Sequence, residues 1–195
     1  EFNPEDFYAD EDVIITISHL GYIKRTALSE FKTQSRGGVG SKGSNTRDED
    51  FIEHMYNANM HSTMLFFTEM GRCFWLKVYE IPEGTRTSKG RAIQNLLQID
   101  PNDRVMAYIN VKTLTDAEYI QNHFIMLISK QGIVKKTNLE AYSRPRQNGV
   151  NAINIREDDQ LLAAALTDGK NEIILGVKSG KAVRFNEQDV RPMGR

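Results

Sequence analysis

Four stretches of this chain set arginine or lysine beside glycine in the same order: an aromatic or apolar residue, then cations, then glycine. They are Phe31…Arg36-Gly37-Gly38-Val39, Tyr79…Arg86-Thr87-Ser88-Lys89-Gly90-Arg91, Tyr142-Ser143-Arg144-Pro145-Arg146-Gln147-Asn148-Gly149-Val150 and Val190-Arg191-Pro192-Met193-Gly194. The first is the richest, with Gly37, Gly38, Gly40 and Gly43 in quick succession. Glycine lets backbone N–H groups approach an anion closely, and a guanidinium grips phosphate oxygens in a planar fork. Residues 34–43 alone could be a flexible surface loop. Recurrence at equivalent places favours anion binding by all four. No GxxxxGK[ST] is present, and the glycine spacing does not fit the dinucleotide fingerprint.

A second set of cations lies on strands rather than loops: Lys24 and Arg25, Lys135 and Lys136, and Arg184. The plain alternative is a solvated edge whose charges discourage sheet aggregation. That alternative does not explain why acids avoid these windows. Windows 19–47, 72–91, 130–147 and 177–195 hold 21 of the 25 Lys and Arg but six of the 26 Asp and Glu. The formal net charge of -1 therefore hides segregated stripes, and a ligand meets the local field.

Other chemistries find little support. His19, His54, His61 and His123 lack metal-ligand spacing. Cys73 sits among Phe74, Trp75 and Leu76 and reads as a core thiol. As the sole cysteine it excludes an internal disulfide and a multi-Cys zinc site, which fits a reducing cytosol. Asp48-Glu49-Asp50 and Glu157-Asp158-Asp159 each open a repeat and read as solvated turns. No serine–histidine pattern suggests a triad. No apolar stretch approaches the roughly 20 residues of a membrane span, and the acidic start is no signal peptide.

The elements that carry these residues repeat about four times. Apolar runs begin at Val13, Met64, Phe124 and Glu172, and each closes on Gly21, Gly71, Gly132 or Gly180 before the next strand. A glycine between two β-rich runs closes a hairpin at least steric cost. Helical periodicity is weak, with one turn expected within 113–121 and another within 139–142. The class is all-β, and self-similarity at 50–60 residues marks blades or stacked units. Each repeat reads as four short strands, with boundaries near 10–47, 48–99, 100–156 and 157–195. Starting and stopping mid-pattern, the chain reads as part of something larger.

One stretch is specific enough to suggest a family. Gln34-Ser35-Arg36-Gly37-Gly38-Val39-Gly40 resembles the box Q-R-R-G-G-K-G of the C-terminal domain of DNA gyrase A. Ser18-His19-Leu20-Gly21-Tyr22-Ile23-Lys24, Lys77-Val78-Tyr79-Glu80-Ile81-Pro82-Glu83, Gly132-Ile133-Val134-Lys135-Lys136-Thr137 and Gly180-Lys181-Ala182-Val183-Arg184-Phe185 extend the resemblance over essentially the whole chain. Ser35 and Val39 stand where that family has arginine and lysine, and Lys42 lies just beyond.

The resemblance implies a β-pinwheel, a propeller-like disc of usually six four-stranded antiparallel blades, of which about four are present. It implies wrapping of double-stranded DNA around a basic rim without base readout, as the nucleosome does by backbone contact and deformability. The implied box contacts are Gln34, Ser35, Arg36, Gly37, Gly38, Val39, Gly40 and Lys42. The implied rim contacts are Lys24, Arg25, Lys32, Arg86, Lys89, Arg91, Lys135, Lys136, Arg144, Arg146, Lys181, Arg184 and Arg191. The parent would be a cytoplasmic heterotetramer of gyrase A and gyrase B that introduces negative supercoils with ATP. Its catalytic tyrosine, Mg2+ and ATP would lie elsewhere, leaving this part catalytically silent and without a cofactor. The alternatives are the equivalent domain of topoisomerase IV, which wraps less, and a propeller-type protein-interaction module.

Overall fold

The computed structural model describes residues 2–31, 50–176 and 179–195. The chain runs β1 (Asp12–Ser18), β2 (Tyr22–Ala27), β3 (Ile52–Asn59), β4 (Thr63–Thr68), β5 (Arg72–Lys77), β6 (Arg91–Ala92) and β7 (Val105–Val111). It continues through a five-residue helix α1 (Ala117–Gln121), then β8 (Phe124–Ser129), β9 (Val134–Asn138), β10 (Val150–Asn151), β11 (Leu161–Thr167), β12 (Glu172–Gly176) and β13 (Ala182–Asn186). The fold is all-β, as the repeats imply. The two expected helical turns are α1 and a 3-10 turn at Leu139–Tyr142.

The hairpins β1–β2, β4–β5, β8–β9 and β12–β13 turn at Gly21, Gly71, Gly132 and Gly180, all with φ between 80° and 90°. Three of these turns share a latch. Ser18, Thr68 and Ser129 each accept a backbone N–H through the side-chain oxygen, from Tyr22, Arg72 and Ile133. An aspartate from further along the chain closes each turn from outside. Asp50 Oδ1 accepts from the Leu20 and Phe51 amides, Asp103 Oδ1 from Met70 and Arg104, and Asp159 Oδ1 from Gln131 and Gln160. These distances run from 2.8 to 3.0 Å. Asp50 and Asp159 are thus buried structural acids, which corrects their reading as solvated turns.

Strands are shared out differently from the sequence repeat. The sheets have the orders β3-β1-β2-β6, β10-β5-β4-β7, β11-β8-β9 and β12-β13. The third repeat reads in sequence as one four-stranded blade over β7, β8, β9 and β10. In the structure β7 and β10 flank the β4–β5 hairpin, while β8 pairs with β9 on one side and with β11 on the other. Each of the first three hairpins is flanked on one side by β3, β7 or β11, the strand that leads toward the next hairpin. On the other it meets a short segment returning from beyond the next hairpin. β6 pairs as Tyr22↔Ala92 and Ile23↔Arg91, and β10 as Val150↔Cys73 and Asn151↔Arg72. β9 meets its returning segment as an isolated bridge at Pro192, where the Met193 amide donates to the Lys136 carbonyl. An exposed row of unpaired N–H and C=O groups invites pairing, and the returning segment supplies it.

Two compact units result, Glu1–Met64 with Leu76–Gln98, and Leu65–Trp75 with Ile99–Arg195. The first is centred on Ile15, Ile17, Ile23, Met64, Ile81 and Ile93, all buried. The second buries Leu65, Phe67, Trp75, Leu127, Leu139 and Tyr142 in one cluster. There Trp75 Nε1 donates to the Tyr142 carbonyl at 3.1 Å, and the Phe67 and Tyr142 rings meet edge to face at 5.7 Å. β4 is buried along all six residues, which accounts for its unbroken apolar run. In contrast β3, an edge strand, alternates along most of its length.

Glu187 fastens the end of the second unit. It is fully buried and accepts from Thr167 Oγ1, the Gly169 amide and the Asn171 amide, with Lys136 Nζ at 3.3 Å. Burial pushes its carboxyl up, but Thr167, Asn171 and Lys136 outweigh that and hold it low. Likewise burial raises Asp159, while the Ser129 hydroxyl, the Gln160 and Gln131 amides and Arg156 bring it below its usual value.

The turn glycines and the buried acids can each be tested by substitution. A Cβ on Gly71 would sit 2.2 Å from the Ile153 carbonyl, whereas one on Gly132 would meet nothing within 4 Å. Both have positive φ, so Gly132→Ala should cost about 1–2 kcal/mol from backbone strain. Gly71→Ala should cost about 3 kcal/mol or more, because backbone must also move. Urea melts of the two variants check the difference, and equal losses would contradict it. The depressed carboxyls of Asp159 and Glu187 contribute stability that is complete above about pH 4, the unfolded value. It is lost as pH falls through their lower folded values. Melts between neutral and acid pH should therefore show a shallower acid decline in Asp159→Asn and Glu187→Gln than in the parent chain.

Candidate nucleic-acid interface

On the first three hairpins the strand cations do not face outward as expected, whereas Arg184 on β13 is exposed. In the first unit Lys24 is 3% exposed, and its ammonium donates to the carbonyls of Thr85, Arg86 and Ser88. Burial lowers its pKa. Arg25 donates from Nε to the Ile81 carbonyl at 2.7 Å and lies 3.9 Å from Glu83. In the second unit Lys136 is 4% exposed, against Glu187 and 4.4 Å over the Phe124 ring. Lys135 is half-buried and donates to the Ala152 carbonyl at 3.0 Å; burial, then Arg195, lowers its pKa. Lys24 and Lys136 are therefore corrections to the rim set, since their ammonium groups are spent inside. Arg25 and Lys135 are anchored and only partly accessible.

The physical reason is the returning segment. The second strand of each of the first three hairpins faces chain from beyond the next hairpin, and long cations there bond backbone or carboxylate groups that burial would otherwise orphan. The sequence carries a signal of this. Counted from the turn glycine, Lys24 and Lys135 align with Phe74, and Arg25 and Lys136 align with Trp75. A position that takes lysine in one repeat and a buried aromatic in another is a covered position.

The loop cations behave as expected of a polyanion interface. In the first unit Lys89 and Arg91 are exposed and Arg86 is half-buried. Arg86 lies over the Phe31 ring at 5.3 Å and Lys89 Nζ over Tyr22 at 3.9 Å, contacts that orient each charge. In the second unit Arg144, Arg146, Lys181, Arg184 and Arg191 are exposed. Arg144 is 2.9 Å from Glu140, and Arg184 pairs with Glu172. Both pairs are exposed, so a phosphate can replace the carboxylate at little cost.

Loop ends are fixed from below. Arg72 donates to the Asn148 carbonyl at 2.8 Å, and the Gly149 amide donates to the Arg146 carbonyl. Arg195 reaches the Ala141 and Asn151 carbonyls. Sequence reasoning singles out neither Arg72 nor Arg195, because a cation bonded to backbone looks the same in sequence as a free one. The box residues Gln34, Ser35, Arg36, Gly37, Gly38, Val39, Gly40 and Lys42 lie outside the described residues, as does Lys32.

Among the described residues no group of three His, Cys, Asp or Glu could hold a metal ion. Cys73 is buried, and burial raises its thiol well above the usual value. Among the described residues no helix is long and apolar enough to cross a membrane.

Comparison with known proteins agrees with this geometry. The family model described as DNA gyrase C-terminal domain, beta-propeller matches residues 12–59, 62–111, 123–168 and 171–195, one hairpin in each span. DNA gyrase A of Haemophilus influenzae is 44% identical over 98% of this chain, and that of Halalkalibacterium halodurans 43% over 100%. The chain spans 21% and 23% of those proteins' lengths. A solved C-terminal domain of DNA topoisomerase IV superposes with a TM-score of 0.75 and 31% identity, over 96% of this chain and 55% of that one. A DNA gyrase A C-terminal domain superposes at 0.71 with 23% identity, over 95% and 58%, and shares the fold. By the match along all four hairpins, the chain belongs to the DNA gyrase C-terminal domain, beta-propeller, family.

Proposed function

We propose that this chain is the DNA-wrapping part of a DNA gyrase A protein. The observation that carries the reading is the sorting of its cations. Lys24, Arg25, Lys135 and Lys136 on hairpin strands are bonded within the fold, while Lys89, Arg91, Arg144, Arg146 and Arg191 are exposed on returning segments. Exposed charge on loops suits phosphate contacts that position a duplex without reading it. Bending DNA costs several kcal/mol per few tens of base pairs, and repeated contacts must offset that cost. Gyrase A relatives at 42–44% identity favour gyrase over topoisomerase IV as the parent.

The holoenzyme would pair gyrase A with gyrase B and act in the cytoplasm as an ATP-dependent type II topoisomerase. Strand cleavage, Mg2+ and ATP would belong to parts outside this chain. Here the loops bind and orient DNA, so that the segment to be passed arrives with one sense of crossing.

Binding should be indifferent to sequence and governed by counterion release. About six to ten phosphate contacts would give log affinity a slope of about −5 to −9 against log salt. Arg144→Ala with Arg146→Ala should reduce that slope by about two units and leave the urea melt unchanged. Anisotropy titrations across a salt series measure the slope. A strong preference for one short sequence over another would contradict the reading. The box is tested in the reconstituted full enzyme. Arg36→Ala with Lys42→Ala should abolish negative supercoiling while relaxation survives, because a path anchor matters more for wrap geometry than for affinity. Ser35→Arg with Val39→Lys should increase the superhelical twist trapped in a nicked-and-ligated plasmid. Intact supercoiling with lost affinity in the alanine variant would show an ordinary electrostatic contact instead.

A further inference from the structure

In the first unit a single buried lysine sets the direction of a whole loop. Lys24 Nζ lies 3.0, 3.0 and 2.6 Å from the carbonyl oxygens of Thr85, Arg86 and Ser88. Its stem passes beside Gly84, where a Cβ would come within 3.3 Å of Lys24 Cδ and 2.3 Å of Ser88 Oγ. The space is matched to a thin aliphatic stem carrying a compact charge. An ammonium has three donors and here meets three acceptors.

A trans peptide holds each C=O antiparallel to the following N–H, and no cis bond occurs among the described residues. With the carbonyls of residues 85, 86 and 88 turned onto Lys24, the N–H groups of residues 86, 87 and 89 face away from it. Among the described residues the Thr87 and Lys89 amides have no partner. Both residues are exposed, and exposed Arg91 follows in β6. Outward amides beside exposed cations are groups that an anion can bind.

We propose that loop 85–89 is a backbone phosphate-binding site and that Lys24 is its positioning residue, acting through the carbonyls it gathers. Its ligand is a phosphodiester phosphate, which rests on the DNA-wrapping reading above. Lys24 itself never touches the nucleic acid. A lysine that looks like a DNA contact in the sequence thus turns three peptide planes so that their other faces bind.

The test combines duplex titrations over a salt series with amide hydrogen exchange, on the whole chain and on Lys24→Met and Lys24→Arg. In the parent chain, duplex DNA should slow exchange at the Thr87 and Lys89 amides. Both variants should bind about tenfold more weakly, the equivalent of one charge-assisted hydrogen bond. Lys24→Arg is decisive because it keeps the charge but cannot fit the three-carbonyl cage. Parent-like binding by Lys24→Arg would mean that charge alone matters and would overturn the proposal. So would the absence of DNA-dependent protection at those amides, which decides the matter even where a variant fails to fold. A parent slope shallower than about −2 would instead overturn the wrapping reading, and this inference with it.

Discussion

The open edge of each hairpin is the constraint from which the rest of this structure follows. A two-stranded ribbon leaves a row of backbone donors and acceptors unpaired, and it is marginal alone. Here β2 and β5 each gain a two-residue strand that returns from beyond the following hairpin, and β9 gains a bridge at Pro192. Because β6 and β10 are so short, backbone pairing cannot hold them unaided. Side chains reinforce the joint: Lys24, Arg25 and Trp75 all donate into returning backbone. The same segments carry the outward cations. Covering an edge and presenting charge are therefore one structural act, and a loop cannot lose its anchoring without losing its aim.

The turn latches show how little sequence is needed to repeat such a unit. Gly21, Gly71 and Gly132 supply the backbone conformation, Ser18, Thr68 and Ser129 satisfy one amide, and Asp50, Asp103 and Asp159 satisfy two more. In each case the second of those amides belongs to the residue that follows the aspartate. The acid thereby starts β3, β7 or β11 at a fixed distance from its hairpin. That dual role explains why an acid sits buried where charge is costly. The desolvation is met by hydrogen bonds to the ionised form.

Much of this is legible in the residues. The hairpins, their glycines and the all-β class are plain, because apolar runs broken by glycine have few other solutions. Membership of sheets is not, because pairing across more than sixty residues leaves no local trace: β10 reads as the end of one repeat yet pairs with β5. Asp50 and Asp159 read as solvated because they stand in runs of acids, although both are drawn inside. The loop cations Lys89, Arg91, Arg144 and Arg146 face outward as their setting implies. Lys24 and Lys136 do not, since charge alone does not tell which face of a strand is covered. Phe74 and Trp75 at the equivalent positions do tell it.

The division between inward and outward cations also follows side-chain chemistry. Lys24, Lys135 and Lys136 are lysines, and their compact ammonium groups meet carbonyls or a carboxylate from several directions. Arg86, Arg91, Arg144, Arg146 and Arg191 are arginines, whose planar forks suit phosphate and whose charge is less strongly hydrated. Arg25, Arg72 and Arg195 are arginines that instead bond backbone carbonyls. Lys89 and Lys181 are outward lysines, Lys89 steadied over an aromatic face. Exchange of lysine and arginine between the two sets would keep every formal charge while spoiling both functions. A buried fork leaves donors unmatched, and an exposed ammonium offers a phosphate one point rather than two.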